Sequence, residues 1–196
     1  MKTAIVFCKL VDPSTLVIDA IRMIIDFRQR LAVGKDDKIY NFVSPYQIVK
    51  FLTQHNKLPA HNKLLRDTQV KVSSPIRSVE SDHSTISTFA RMVELGFSGL
   101  AVIDNEKILT AISLKDISFA SKDFSLLLLG VEDYIKRVRQ AVISTTYYPV
   151  ANVSDSDTIG SICQKFIAVK AHRLFVRRGE QLYGVLSVSD VLGAFL

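Results

Sequence analysis

The chain repeats itself three times, and this self-similarity constrains its fold more than any single motif does. Leu31-Ala32-Val33, Leu100-Ala101-Val102 and Leu174-Phe175-Val176 are each followed, thirteen residues after the leucine, by a serine: Ser44, Ser113 and Ser187. Each serine opens the pattern Ser-x-x-[Gln or Asp]-[Ile or Val], giving Ser44 to Ile48, Ser113 to Ile117 and Ser187 to Val191. A threonine before an aliphatic residue stands 15 or 16 positions ahead of each leucine, at Thr15, Thr85 and Thr158.

Every copy carries the same local signals. A capping residue precedes an apolar helical face: Ser14 before Ile18, Ile21, Ile24 and Ile25; Asp82 before Ile86, Phe89 and Val93; Asp157 before Ile162, Phe166 and Ile167. Two strands follow, over 31–34 and 38–43, 100–104 and 107–112, and 173–177 and 181–186. A short helix then starts at each serine, and 77–80 and 150–153 read as strands leading into the second and third copies. The unit is β-α-β-β-α, about 45–50 residues long, and too small to bury a comfortable core alone, so units are expected to pair.

The connections differ in character. Residues 54–69 are polar, contain Pro59 and read as a linker. Residues 123–140 instead place Phe124, Leu127, Leu128, Val131, Tyr134, Ile135 and Val138 at helical spacing, with Lys136, Arg137 and Arg139 late in the run. That is an amphipathic helix with its cations near the C-terminus. The expected organisation is a unit over 1–54, a linker over 55–76, a unit over 77–121, a helical connector over 122–149 and a unit over 150–196.

Composition narrows the partners. Lys and Arg number 25 against 19 Asp and Glu, a net charge of +6 that favours anionic ligands without choosing among them. The run Leu126-Leu127-Leu128-Leu129-Gly130-Val131 is far short of the roughly 20 residues that span a bilayer. Ala4 to Cys8 is too short for a signal peptide, so the expected location is the cytoplasm, with the nucleus as a second compartment. Cys8 and Cys163 lack the spacing of a zinc site, and no phosphate-binding loop, dinucleotide fingerprint, metalloprotease motif or nucleophile elbow is present. No catalytic residue and no metal ligand are therefore assigned, and a non-enzymatic protein is expected.

The residues resemble a known family, the tandem cystathionine-β-synthase (CBS) domains, and within it the gamma regulatory subunit of AMP-activated protein kinase. The resemblance runs through Ala171 to Val176 with Gly184 to Leu192, which look like the last repeat, and Phe97 to Asp104, which look like the third. Tyr46 to Leu52 is similar to the closing helix of the second repeat. It implies an α/β (α+β) fold of repeated β-α-β-β-α units, two of them packed as a pseudo-twofold pair. The family has four repeats, and this chain looks like repeats two to four. The copies at 77–121 and 150–196 would then pair, leaving 1–54 without its usual partner, as in a fragment or truncated form.

The resemblance also implies a ligand, AMP, ADP or ATP, and no other cofactor. A ribose diol asks for a carboxylate, adenine for an aliphatic slot, and phosphates for cations. In the family the aspartate of Ser-x-x-Asp takes the ribose, which carries over to Asp116 and Asp190; Gln47 breaks the pattern in the first copy. His172 and Arg173 match the family's phosphate-binding pair, and Arg30 and Lys50 match basic residues of its second repeat, whereas Gln29 and Tyr46 replace a histidine and a cation. Ser98, Ser187 and Ser189 match hydroxyls lining the ligand. Val72 replaces a threonine that reaches it, implying the loss of about 0.5–1.5 kcal/mol at the Asp116 site. Read from spacing alone, Ser-x-x-Gln/Asp is equally a capping box that serves only the helix.

Two functions compete on this footing. One is a regulatory adenine-nucleotide-binding module, a gamma-type energy-sensing subunit with kinase catalytic and scaffold subunits as partners. The other is a degenerate CBS scaffold that binds a kinase or phosphatase without sensing nucleotide. Nucleic acid is disfavoured, because the cations are dispersed and the aromatic residues read as core. No membrane association is expected.

Overall fold

Each copy builds one three-stranded sheet, and the three sheets share a single topology. A computed structural model describes residues 9–27, 30–36, 38–142 and 151–196. Gln29, Cys8 and the expected strand start at Val150 lie outside them. In the first copy β1 (Lys9–Val11) leads through α1 (Val17–Phe27) to β2 (Leu31–Lys35), and a hairpin returns as β3 (Lys38–Val43) before α2 (Pro45–Gln54). The second copy runs β4 (Ser78–Glu80), α3 (Thr85–Glu94), β5 (Gly99–Asp104) and β6 (Lys107–Ser113). After α4 (Val131–Val142), the third runs β7 (Asn152–Ser154), α5 (Ile159–Ala168), β8 (Arg173–Arg178), β9 (Gln181–Ser187) and α6 (Val188–Val191).

In every sheet the first strand is parallel to the second and the second antiparallel to the third, so each helix serves as the crossover that parallel strands need. The hairpin register slips at equivalent points, after Val33, Val102 and Val176, each two residues beyond the leucine of its repeat. These bulges locate the repeat more finely than its side chains do.

The first copy packs against another copy, although none was expected to cover it. The first and third form one compact unit, made of the described residues up to Ser73 together with Asn152–Leu196, and Ser74–Ala151 forms another. In the first unit α1 and α2 pack against α5, α6 and the 3-10 turn Leu192–Phe195. The faces involved carry the buried residues Ile21, Ile24, Ile48, Val49 and Leu52 from one copy, and Ile162, Cys163, Phe166, Val188, Val191, Leu192 and Phe195 from the other. The described residues of the first copy thus pack against the third copy. All three copies carry the same apolar periodicity, so the pattern could not select which two would meet.

The polar linker is a strap along the third copy. Leu65 and Arg66 donate backbone N–H groups to the carbonyls of Asp157 and Asp155, both at 2.9 Å, and Ile159 and Gly160 donate to those of Lys63 and His61, also at 2.9 Å. Leu65 is buried, and Ser73 and Val185 exchange two backbone hydrogen bonds of 2.9 Å. A side chain on Gly184 would meet Val72 Cγ1 at 2.4 Å and the Ser73 carbonyl at 3.0 Å, so the strap crosses where this strand has no Cβ.

The expected helix over 123–140 is broken. A 3-10 turn covers Phe124–Leu128, with Phe124 and Leu128 exposed, and α4 begins only at Val131. Between them the Leu129 carbonyl accepts from the Thr85 backbone N–H and hydroxyl, and the N–H groups of Val131 and Glu132 donate to His83 and Ser81. Those bonds hold the chain extended across the start of α3, which a continuous helix would forbid. The caps also shift. Ser84 and Thr158 cap α3 and α5, Asp157 accepts from the Ser154 N–H, and the Ser14 hydroxyl turns to Asp12. The helix expected at Ser113 is a 3-10 turn over Leu114–Ser121, in which the hydroxyls of Ser118 and Ser121 bond carbonyls three residues back and compete with α-helical bonding.

The middle unit closes around Phe89, Met92, Val102, Ile112, Val131, Tyr134, Ile135 and Val138. Tyr134 is fully buried, meets the Phe89 ring edge-on at 5.7 Å, and donates its hydroxyl to the Asp116 carbonyl at 2.6 Å. Burial, with the nearby Asp116 charge second, raises its pKa above the ordinary tyrosine value. Tyr134→Phe leaves that carbonyl without its donor and is expected to destabilise the protein by about 1–3 kcal/mol, read from urea denaturation monitored by circular dichroism.

Candidate functional site

Antiparallel pairing brings the start of one strand beside the end of the next, and this collects the site residues within each copy. In the third copy Arg173, the first residue of β8, pairs in register with Ser187, the last of β9. The His172 carbonyl accepts from the Val188 N–H at 3.1 Å. The second copy repeats the arrangement with Gly99 opposite Ser113 and the Ser98 carbonyl accepting from Leu114 at 3.2 Å. Arg30 immediately precedes β2, the position that Arg173 holds in the third copy, and is exposed.

The serines at these junctions close capping boxes. Asp116 Oδ2 accepts from the Ser113 backbone N–H at 2.7 Å and hydroxyl at 2.9 Å, and Asp116 is buried. Asp190 Oδ2 accepts from the Ser187 N–H at 2.9 Å and from its hydroxyl, while the Asp190 N–H donates to Ser187 Oγ at 3.2 Å. In the first copy Gln47 Oε1 takes the carboxylate's place, accepting from the Ser44 N–H at 2.9 Å and hydroxyl at 2.8 Å. The helix-capping reading of Ser-x-x-Gln/Asp is therefore realised in all three copies. It also fixes the rotamer of each aspartate by engaging the same oxygen, Oδ2.

The expected cations all belong to the first unit, and Arg173 lies within electrostatic reach of Asp190. Arg173 is half-buried, and loss of water lowers its pKa while the Asp190 charge opposes that shift. The exposed His172 ring lies 5.6 Å from that of Tyr46, tilted by 57°. Lys50, exposed, follows Tyr46 by one turn of α2 and so shares its face. Ser187 and Ser189 are half-buried at the start of α6. Asp116 and the exposed Ser98 belong to the middle unit. Val72 packs over Gly184 in the first unit, on the sheet that carries Asp190 rather than the one that carries Asp116.

Two features escaped the sequence. The Tyr46–His172 contact joins copies that no motif connects. The strap over Gly184 left a trace, since a lone glycine inside a strand marks a close backbone approach. Among the described residues, no group of three His, Cys, Asp or Glu is arranged to hold a metal ion, and no helix is long and apolar enough to cross a membrane. Burial pushes the Cys163 thiol up to about 12, which leaves it unreactive.

Solved structures share this architecture. A protein of Methanocaldococcus jannaschii proposed as an archaeal homologue of γ-AMPK superposes with a TM-score of 0.72 at 16% identity, covering 96% of this chain and 67% of that one. A CBS-domain-containing protein of Agrobacterium tumefaciens reaches a TM-score of 0.55 at 14% identity, covering 68% and 93%. This chain has the tandem CBS fold. The CBS domain of a bacterial CNNM/CorC family Mg2+ transporter, solved in complex with ATP, also reaches 0.55 at 14% identity, covering 74% of this chain and 96% of that one.

By sequence, proteins named SDS23 are similar to this CBS chain. That of Meyerozyma guilliermondii is 27% identical over 180 residues, 84% of this chain and 33% of its own length. That of Scheffersomyces stipitis is 28% identical over 151 residues, 71% and 28%. The chain thus spans about a third of the curated relatives it matches. No family model matches it.

Because the capping boxes hold the CBS junctions together, their loss is expected to cost stability before it costs anything else. Ser187→Ala should destabilise the protein by about 0.5–2 kcal/mol in thermal or urea unfolding, and Ser187→Thr, whose hydroxyl can still accept from the Asp190 N–H and donate to its carboxylate, should recover most of that.

Proposed function

We propose that the chain is a regulatory module that binds an adenine nucleotide, AMP, ADP or ATP, at the β8–β9 rim of the third copy. The observation that carries this reading is the joining of Asp190, Arg173 and His172 at one strand junction, with Tyr46 and Lys50 of α2 beside them. Asp190 has one oxygen held by Ser187, so its orientation is set before a ribose diol arrives to use the other. Arg173, stripped of part of its water, gains more from a phosphate than an exposed cation would. His172, Lys50 and Arg30 add positive charge, and Ser187 and Ser189 offer hydroxyls. In the middle unit Asp116 and Ser98 form the corresponding, weaker site, because Gly99 stands where Arg173 does. The ATP-bound CBS domain of similar fold supports this ligand class.

On this reading the nucleotide favours one arrangement of the module and so biases a partner surface, which requires different affinities for the two arrangements. The finer assignment is a cytoplasmic gamma-type subunit of a kinase complex with catalytic and scaffold partners, acting as an energy sensor. It is supported by the superposition on the archaeal protein. A second reading, a CBS scaffold that holds a kinase or phosphatase without nucleotide, is favoured by Gln47 in place of a carboxylate and by Tyr46 lying against His172.

Calorimetric titration with AMP, ADP and ATP separates the two. Saturable binding is expected, weakened about 10- to 150-fold by Asp190→Ala, the range for a hydrogen bond to a charged group. A folded wild-type chain that binds none of the three would leave the scaffold reading standing.

A further inference from the structure

The cation beside the repeat leucine changes strand between copies without being lost. In the third copy Arg173 directly precedes Leu174, and Ala151 stands before β7. In the middle copy the two places are exchanged: Gly99 directly precedes Leu100, and Arg77 stands before β4. The places are equivalent because Ser78 pairs with Ala101 as Asn152 pairs with Phe175, each partner lying one residue beyond its leucine. Leu10 pairs with Ala32 in the same way, so the first copy has a cation at both places, Lys9 and Arg30.

The contacts of Arg77 carry it to the rim that holds the Asp116 junction. Its carbonyl accepts from the Ala101 N–H at 2.9 Å, which sets it at the end of the sheet where Gly99 pairs with Ser113. Its guanidinium carbon lies 4.1 Å from the centre of the Phe97 ring. Phe97 immediately precedes Ser98, whose carbonyl closes that junction by accepting from Leu114. Arg77 is exposed and forms no ion pair among the described residues. Stacking occupies the face of a guanidinium and leaves the N–H groups in its plane to donate.

We propose, on the nucleotide reading of the repeat, that Arg77 is the phosphate-binding cation of the middle copy and sets its preference for a nucleotide over a nucleoside. Asp116 takes the ribose, and Arg77 reaches the phosphate from the first strand of the sheet rather than the second. Neighbouring strands lie only about 4.8 Å apart, so a long side chain on either can bring its charge to the same place. The repeat then requires a cation at this rim but not at one fixed residue. Arg77 is more exposed than Arg173, so its phosphate contact is the more weakly held of the two.

Calorimetric titration of the full chain carrying Asp190→Ala with Arg173→Ala, which removes the carboxylate and the half-buried cation of the third copy, reads the middle site. AMP should still bind this variant saturably. Adding Arg77→Met, which keeps a stem over Phe97 and removes the charge, should weaken AMP about tenfold and leave adenosine unchanged. Arg77→Lys should recover part of the AMP affinity. An AMP affinity indifferent to Arg77→Met overturns the proposal, and so does an equal loss for AMP and adenosine, which would make Arg77 a packing residue. A wild-type chain that binds AMP only through the third copy overturns the proposal and leaves the nucleotide reading standing, whereas a wild-type chain that binds none overturns both.

Discussion

The structure depends on one recurring junction, where a strand stops, a serine turns the chain and a helix begins. At each junction the serine side chain and backbone bond a residue three positions on. In the second and third copies the next backbone N–H also reaches across to the residue before the first strand of the hairpin, Ser98 or His172. The first set of bonds ends the sheet and starts the helix. The second ties the hairpin's open end shut. Removing either would unpin the rim on which Asp116, Asp190, His172 and Arg173 stand, so architecture and the proposed binding chemistry share the same few atoms.

That sharing explains how capping and ligand recognition can coexist on one side chain. A carboxylate has two oxygens, and the cap engages only Oδ2 of Asp116 and Asp190. The protein thereby holds the group in one rotamer, and a ligand need not supply the entropy cost of ordering it. Gln47 can fill the cap but not the second task, because its amide oxygen carries no charge. One repeat position thus tolerates either residue for folding, while only the carboxylate suits the proposed ribose contact.

Much of this was legible in the amino-acid order. The Leu-to-Ser offset located the paired strands in all three copies, and the repeat serines marked all three junctions. What was not legible followed from forces that periodicity does not encode. Helical spacing across 123–140 could not register the carbonyl of Leu129 being drawn to Thr85. A polar composition over 54–69 could not show that backbone groups, rather than side chains, dock the segment onto the third copy. The partner of the first copy was hidden because shape complementarity, not apolar content, decides between identical patterns. Of the candidate site, the cluster around Asp190 was visible through the repeat, whereas the approach of Tyr46 to His172 depends on that pairing and was not.

The pairing of the first copy with the last has a kinetic side. On a ribosome the helices α1 and α2 emerge before the middle unit, and the surfaces they pack against, α5 and α6, emerge after it. Contacts between segments so distant in sequence are costly in loop entropy and slow to form, while the middle unit has its core residues within one continuous stretch. Vectorial synthesis would therefore complete the core of the middle unit before that of the unit built from the first and third copies. Helices α1 and α2 would stay unpartnered while the middle copy is made, which leaves their apolar faces open to a chaperone over that interval.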